Sequence, residues 1–324
     1  MTEPIHHIGK TDGAERDARR IQVIEAVGNT PLLELNRVGA DIAPVKLCAK
    51  AEWFNPGGSV KDRPALNMIL DGERSGKLTH EKILMDATSG NTGIAYAMIG
   101  AALGYRVKLC VPKNIGDLRQ RILEAYGAEL VFSDPTLGSD GAIEAAIRLY
   151  ESDKETYFYP DQYSNPANWQ AHYHTTAPEI LRQTNGEITH YVAGLGTTGT
   201  LCGTGRRLKE ENESIKIVSF QPDSPMHGLE GMKHLPTSLV PAIYSEDVAD
   251  DNVWIRTEDA YAMVLRLARE EGLLVGLSAG AAVVASLQIA RKLSSGTVVT
   301  VLPDSGHKYL DFKFWDQGSN GDST

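Results

Sequence analysis

The chain has 324 residues and a formal net charge of −10, which leaves length for two domains of ordinary size with buried cores. An acidic balance without a clustered basic stripe excludes a nucleic-acid partner, and no apolar stretch reaches the length needed to span a membrane. The opening residues, Met1 to Arg20, are polar throughout and lack an apolar h-region, so no signal peptide is expected and the cytoplasm is the expected compartment.

In chain order, residues 1–20 read as a flexible extension, and His6 and His7 within it as part of that extension and not a ligand pair. No metal is expected. Cys48, Cys110 and Cys202 lie far apart with no C-x-x-C pair, as packing thiols of a reducing compartment. NPGGSVKDR, Asn55 to Arg63, sets Lys61 between a glycine turn and an amphipathic helix. Ser59 with Asp62 fits a capping box there, Ala65, Met68 and Ile69 form the helix's apolar face, and Gly76 is its stop. A lysine at a helix start sits in a positive potential, and partial burial adds to the preference for the neutral amine, a nucleophile toward carbonyls. The alternative for Lys61 is a solvated charge; Asp62 and Arg63 are expected in local helix-end contacts and not in the chemistry.

The apolar run Lys82 to Ala87 reads as a buried strand that enters TSGNTG, Thr88 to Gly93, before the helix Ile94 to Leu103. Thr88, Ser89, Gly90, Asn91 and Thr92 thereby place hydroxyls, an amide and backbone N–H groups at a helix N-terminus, where a carboxylate or phosphate fits; a simply well-capped helix is the alternative. Strand Val107 to Pro112, helix Asp117 to Tyr126 with Gly127 as stop, strand Glu129 to Ser133, helix Ser139 to Ser152 and strand Tyr157 to Gln162 follow. Leu118, Ile122, Leu123, Ile143, Ala146 and Ile147 are the expected inward faces. A break falls around Pro160 to Pro166.

Strand His190 to Leu195 runs into GLGTTGT, Gly194 to Thr200, which opens another helix and satisfies G-x-G-x-x-G at Gly194, Gly196 and Gly199. With Asp223 past the next strand, Lys216 to Gln221, this suits a dinucleotide. Thr197, Thr198 and Thr200 add hydroxyls to the backbone donors, which suits one terminal phosphate instead. Helix Glu258 to Glu271, capped by Thr257 and stopped by Gly272, then GLSAGA at Gly276 to Ala281 with helix Ala279 to Leu293, then strand Thr297 to Pro303 complete the alternation, an α/β pattern of parallel sheets. Residues 313–324 read as a flexible tail.

These four motifs, with GNTPL at Gly28 to Leu32, QYSNPAN at Gln162 to Asn168 and TTAPEI at Thr175 to Ile180, make the chain from Ile21 to Leu310 resemble the fold-type II enzymes that use pyridoxal phosphate (PLP), the cysteine synthases above all. GLGTTGT and the stretch Gly228 to Tyr244 are similar to the B-type enzymes. A cystathionine β-synthase or another maker of β-substituted alanines is the alternative within the family, with no regulatory domain expected after Leu310 and no haem ligand before Ile21; a nicotinamide oxidoreductase and a silent binding protein of the same fold are the alternatives outside it.

The resemblance implies two three-layer α/β domains with the site between them: residues 21–60 with 166–312 as the larger, and 61–165 as the smaller, mobile one. It implies that Lys61 carries PLP, that Gly196, Thr197, Thr198, Gly199 and Thr200 hold its phosphate, that Asn91 bonds the ring hydroxyl and that Ser278 faces the ring nitrogen; a helix cap is the simpler reading of Ser278. Thr88, Ser89, Gly90, Asn91, Thr92 and Gln162 would receive the substrate carboxylate. The implied reaction is β-replacement through an aminoacrylate, making cysteine from O-acetylserine or O-phosphoserine and a sulfur donor, in a homodimer. Lys233, in GLEGMKHL, is the candidate cation for a phosphate leaving group, against the reading of an ordinary exposed charge. No residue pattern identifies a sulfur-carrier protein.

Overall fold

The computed structural model describes residues 22–88, 90–312 and 314–315. The expected extension at 1–20, Ser89, and all of the expected tail except Phe314 and Trp315 lie outside the described residues.

The strands are β1 (Leu32–Glu34), β2 (Lys46–Ala51), β3 (Ile83–Ala87), β4 (Arg106–Pro112), β5 (Glu129–Ser133), β6 (Tyr157–Phe158), β7 (His190–Gly194), β8 (Lys216–Pro222), β9 (Asp251–Ile255) and β10 (Thr297–Leu302). They form a six-stranded sheet in the order β1-β2-β10-β7-β8-β9 and a four-stranded sheet in the order β5-β4-β3-β6. Neighbours are parallel except β1 and β2. Parallel strands are covered on both faces and so are apolar without alternation. Every residue of β10 is buried, and in β3 only Ile83 is partly open.

The helices are α1 (Asp62–Arg74), α2 (Asn91–Leu103), α3 (Asp117–Ala125), α4 (Gly138–Ser152), α5 (Pro166–Ala171), α6 (Ala177–Gln183), α7 (Gly199–Glu211), α8 (Thr257–Arg266) and α9 (Leu277–Ala290). Helices α2 and α9 are buried on nearly all sides, as helices apolar all round must be. Each anchors one core, α2 with Met68, Leu84 and Leu109 and α9 with Phe220, Met263 and Val298. The loops after β3 and β7 open at the carboxyl ends of their strands, where parallel α/β sheets bind ligands.

Several local expectations are corrected. The strand expected to reach Gln162 ends at Phe158, because Pro160 lacks the ladder donor and Asp161 turns into the left-handed region at φ 52°. The Ser59–Asp62 capping box is not formed: the Asp62 carboxylate accepts from Gly57 N instead, and Ser59 Oγ accepts from Lys61 N at 3.2 Å. Thr257 lies inside α8 and accepts from Gly228 N, the helix continuing from Leu267 to Glu271 as a wider π turn before the left-handed Gly272. Leu118 and Ile147 are exposed, whereas Leu123 and Ala146 are buried. Phe314 packs against Val264, Leu277 and Tyr309 and Trp315 Nε1 donates to Tyr309 O, so these two residues of the expected tail are held by aromatic burial.

Candidate active site

A cavity of about 600 Å³ opens where the two sheets' loops meet, and Lys61, Thr88, Gly90, Asn91, Thr92, Gln162, Gly196, Thr197, Thr198, Thr200, Lys233 and Ser278 all line it. Of the expected site residues, Gly199 is not in its wall: it is the first residue of α7, where a Cβ would come within 2.0 Å of Asn168 Oδ1. Ser89 is not described.

Lys61 caps α1 from a turn that needs glycine, since Gly58 sits at φ 74°. Its ammonium is held below the ordinary lysine range by burial, which Asp304 and Glu52 oppose. The neutral amine is thus easier to reach than on a surface lysine.

The loop 194–200 is shaped by close backbone packing, because a Cβ on Gly196 would meet Gly231 O at 2.2 Å. Thr198, at φ 70°, precedes α7, and its buried hydroxyl has no partner but the weakly polar Cys202 thiol. Thr200 Oγ1 lies 3.3 Å from His172 Nε2, and His172 is kept neutral, pushed down to about 3 by burial with Arg63 adding to the effect. A buried hydroxyl whose one neighbour is a weakly polar thiol, beside the N-terminus of a 13-residue helix, suits an anion such as a phosphate, so these residues fit the cofactor that the resemblance implies.

Across the cavity, Thr88 Oγ1 accepts from Gly93 N at 3.0 Å and Gly90 N at 3.2 Å, so the capping reading holds for this hydroxyl. Thr92 Oγ1 donates to Gln162 Oε1 at 2.8 Å, and Gln162 Nε2 donates to Ala87 O at 2.8 Å. Gln162 is therefore bound to this loop although its strand ended earlier. Asn91 Nδ2 donates to Asp304 Oδ2 at 2.7 Å. Ser278 is the second residue of α9 and Gly276 is the cap, so the helix-cap reading of Ser278 is corrected.

Lys233 is 8% exposed, which removes the reading of an ordinary surface charge. Its Nζ lies 3.8 Å from Asp140 Oδ1 and 5.2 Å from the centre of the Tyr163 ring, and burial lowers its pKa against the pull of Asp140. A second pair, Arg119 with Glu230, closes the same rim, Nη1 to Oε1 at 3.1 Å.

Arg63 does not make local helix-end contacts. It donates to Glu52 Oε2 at 2.7 Å and to Glu179 Oε1 at 2.7 Å in a buried cluster with Lys50 and Thr30, far along the chain. Tyr163 and Glu230 line the cavity from inside QYSNPAN and GLEGMKHL, though neither was singled out there, whereas Arg119 in the wall and Asp304 and Lys308 on Asn91 stand outside every motif and carry no periodic or spaced signal. Cys48, Cys110 and Cys202 are buried and form no disulfide. Among the described residues no group of His, Cys, Asp and Glu could hold a metal ion, and no helix is long and apolar enough to cross a membrane.

The family model described as "Pyridoxal-phosphate dependent enzyme" matches residues 23–304. A cysteine synthase of Aquifex aeolicus is 48% identical over 309 residues, covering 94% of each chain. Cysteine synthase B of Salmonella typhimurium is 41% identical over 286 residues, 88% of this chain and 93% of that one. Among solved structures, a cysteine synthase from Entamoeba histolytica superposes with a TM-score of 0.86 at 32% identity, covering 98% of this chain and 94% of that one.

Proposed function

From a chain that belongs to the family of pyridoxal-phosphate-dependent enzymes, we infer a cysteine synthase that makes L-cysteine by exchanging the β-substituent of an activated serine for sulfur. The family sets aside the nicotinamide reading of Gly194, Gly196 and Gly199. The single observation that carries the proposal is the convergence of Lys61, Asn91, Ser278 and the Gly196–Thr200 loop on one cavity.

In this reading Lys61 Nζ would be the covalent anchor, the 196–200 loop would hold the cofactor phosphate, Asn91 Nδ2 would serve the ring oxygen and Ser278 Oγ the ring nitrogen. Bound there, PLP supplies a carbonyl that captures an amine and an electron sink that acidifies Cα. Thr88, Gly90, Thr92 and Gln162, with Ser89 proposed beside them, orient the substrate carboxylate. Lys61 takes the proton from Cα as the β-substituent leaves, and returns one after sulfur adds. A neutral Ser278 hydroxyl does not hold the ring nitrogen protonated as a carboxylate would, which favours elimination at Cβ over transamination. The test pairs O-acetylserine, O-phosphoserine and serine with sulfide and thiosulfate; absence of a sulfur-bearing amino acid from every pair overturns the proposal.

Lys233 is the proposed cation for a departing phosphate, which carries about two charges where acetate carries one. Lys233→Ala is expected to lower kcat/KM for O-phosphoserine about tenfold while leaving O-acetylserine within about twofold. Equal losses with both substrates, or no loss with either, exclude this role and leave O-acetylserine the default donor.

We further propose that residues 61–165 form the smaller domain and that substrate closes it on 21–60 with 166–312. Arg119–Glu230 and Lys233–Asp140 join these two parts at the rim, so opening has to break both pairs. Small-angle scattering with and without a bound amino acid is expected to show a smaller radius of gyration in the bound form, the closure that excludes water. Equal radii, with equal domain angles in paired crystal structures, rule closure out. The proposed assembly is a homodimer, checked by sedimentation velocity, and the proposed compartment is the cytoplasm, supported by three unpaired buried thiols.

A further inference from the structure

Lys308 reaches Asn91 from the far end of the chain. Its Nζ lies 2.7 Å from Asn91 Oδ1 and 3.2 Å from the carbonyl oxygens of both Gly57 and Gly58. Three acceptors use all three donors of an ammonium, whereas a neutral amine would leave one unserved. On its other side, Asn91 Nδ2 donates to Asp304 Oδ2, which also accepts from Tyr309 Oη at 2.7 Å. An ammonium can only donate and a carboxylate can only accept. Charge therefore fixes which end of the Asn91 amide is which: a flipped amide would set NH₂ against Lys308 and oxygen against Asp304.

We propose that Lys308, with Asp304, is a positioning residue that makes Asn91 present a hydrogen-bond donor to the cavity. Oδ1 is turned to Lys308 and one Nδ2 proton is committed to Asp304, which leaves the second Nδ2 proton as the group Asn91 offers. That donor suits a ring oxygen in its deprotonated, accepting state and opposes one that must donate. The same ammonium holds Gly57 and Gly58, the turn that leads into Lys61, so one side chain sets the Lys61 turn and the Asn91 amide together. This inference rests on the cofactor reading of the cavity given above.

The test compares full-length wild type, Lys308→Met and Lys308→Arg by PLP titration of the apoprotein and by NMR of the Asn91 side-chain amide. In wild type, one Nδ2 proton should exchange slowly in the apoprotein and the other should shift when PLP is added. Lys308→Met should bind PLP about tenfold more weakly or worse, with the slow-exchanging proton lost, because an ionic hydrogen bond is removed. Lys308→Arg should recover part of both, since a guanidinium also only donates. Unchanged affinity and amide signals in Lys308→Met overturn the proposal. So do two wild-type protons that exchange and respond alike, a result available even where Lys308→Met does not fold. If wild type takes up no PLP on Lys61, the cavity reading falls and the proposal with it; normal capture on Lys61 confines a failure to Lys308.

Discussion

Lys61→Ala is expected to lower cysteine formation by on the order of a thousandfold or more, since it removes both the covalent anchor and the base that moves the Cα proton. Four lysines compete for the role. Lys50 is buried and bonded to Glu179 Oε2 at 2.5 Å and to Thr30, and Lys308 has all three protons in use. Lys233 lines the cavity but lies against Asp140. Lys61 combines a place in the wall and an ammonium that burial holds below its ordinary 10.5 with a seat on the glycine turn at the start of α1 and, among the described residues, no carboxylate paired to its Nζ. The neutral fraction rises with pH, so capture of PLP by the apoprotein should grow with pH and level off below that value. Borohydride reduction and peptide mapping check the assignment, and label on any lysine other than Lys61 would falsify it.

The strand–loop–helix units were legible because a parallel strand is an apolar run and a helix opening on a ligand collects glycine, serine and threonine. TSGNTG and GLGTTGT therefore read correctly as openings of α2 and α7. Pro160 carried a signal against extending β6 to Gln162, since proline cannot donate to a ladder. Arg63 carried none. Its partner Glu179 lies 116 residues away, and a long side chain's partner is decided by the tertiary fold rather than by its neighbours in sequence. Lys308 and Asn91 are 217 residues apart, and nothing local to either marks the bond. The site's motif residues were thus readable one loop at a time, while the side chains that hold those loops to each other were not.

Glu52→Gln is expected to be the most destabilising substitution near the site that touches no ligand. Glu52 is fully buried and accepts from Arg63 Nε and Nη2, Thr30 Oγ1 and Asn55 Nδ2 at 2.7 to 2.9 Å. Burial works to raise its pKa, yet Arg63, Thr30 and Lys50 together hold it down to about 2. A glutamine amide would turn an NH₂ toward donors and leave Arg63 with Glu179 as its one carboxylate. Removing one partner of a buried ion pair costs about 3 to 5 kcal/mol. In a domain of this size that lowers Tm by roughly 6 to 15 °C. The sign with pH follows from the depressed pKa: the stability Glu52 adds is present above the unfolded carboxylate value and is lost as pH falls toward the folded one. The gap in Tm between wild type and Glu52→Gln should therefore be widest near neutrality and narrow from about pH 5 toward pH 3. Calorimetry of both apoproteins across that range decides it. A gap of less than about 2 °C at pH 7, or one that widens in acid, would mean that Arg63 is held by Glu179 alone.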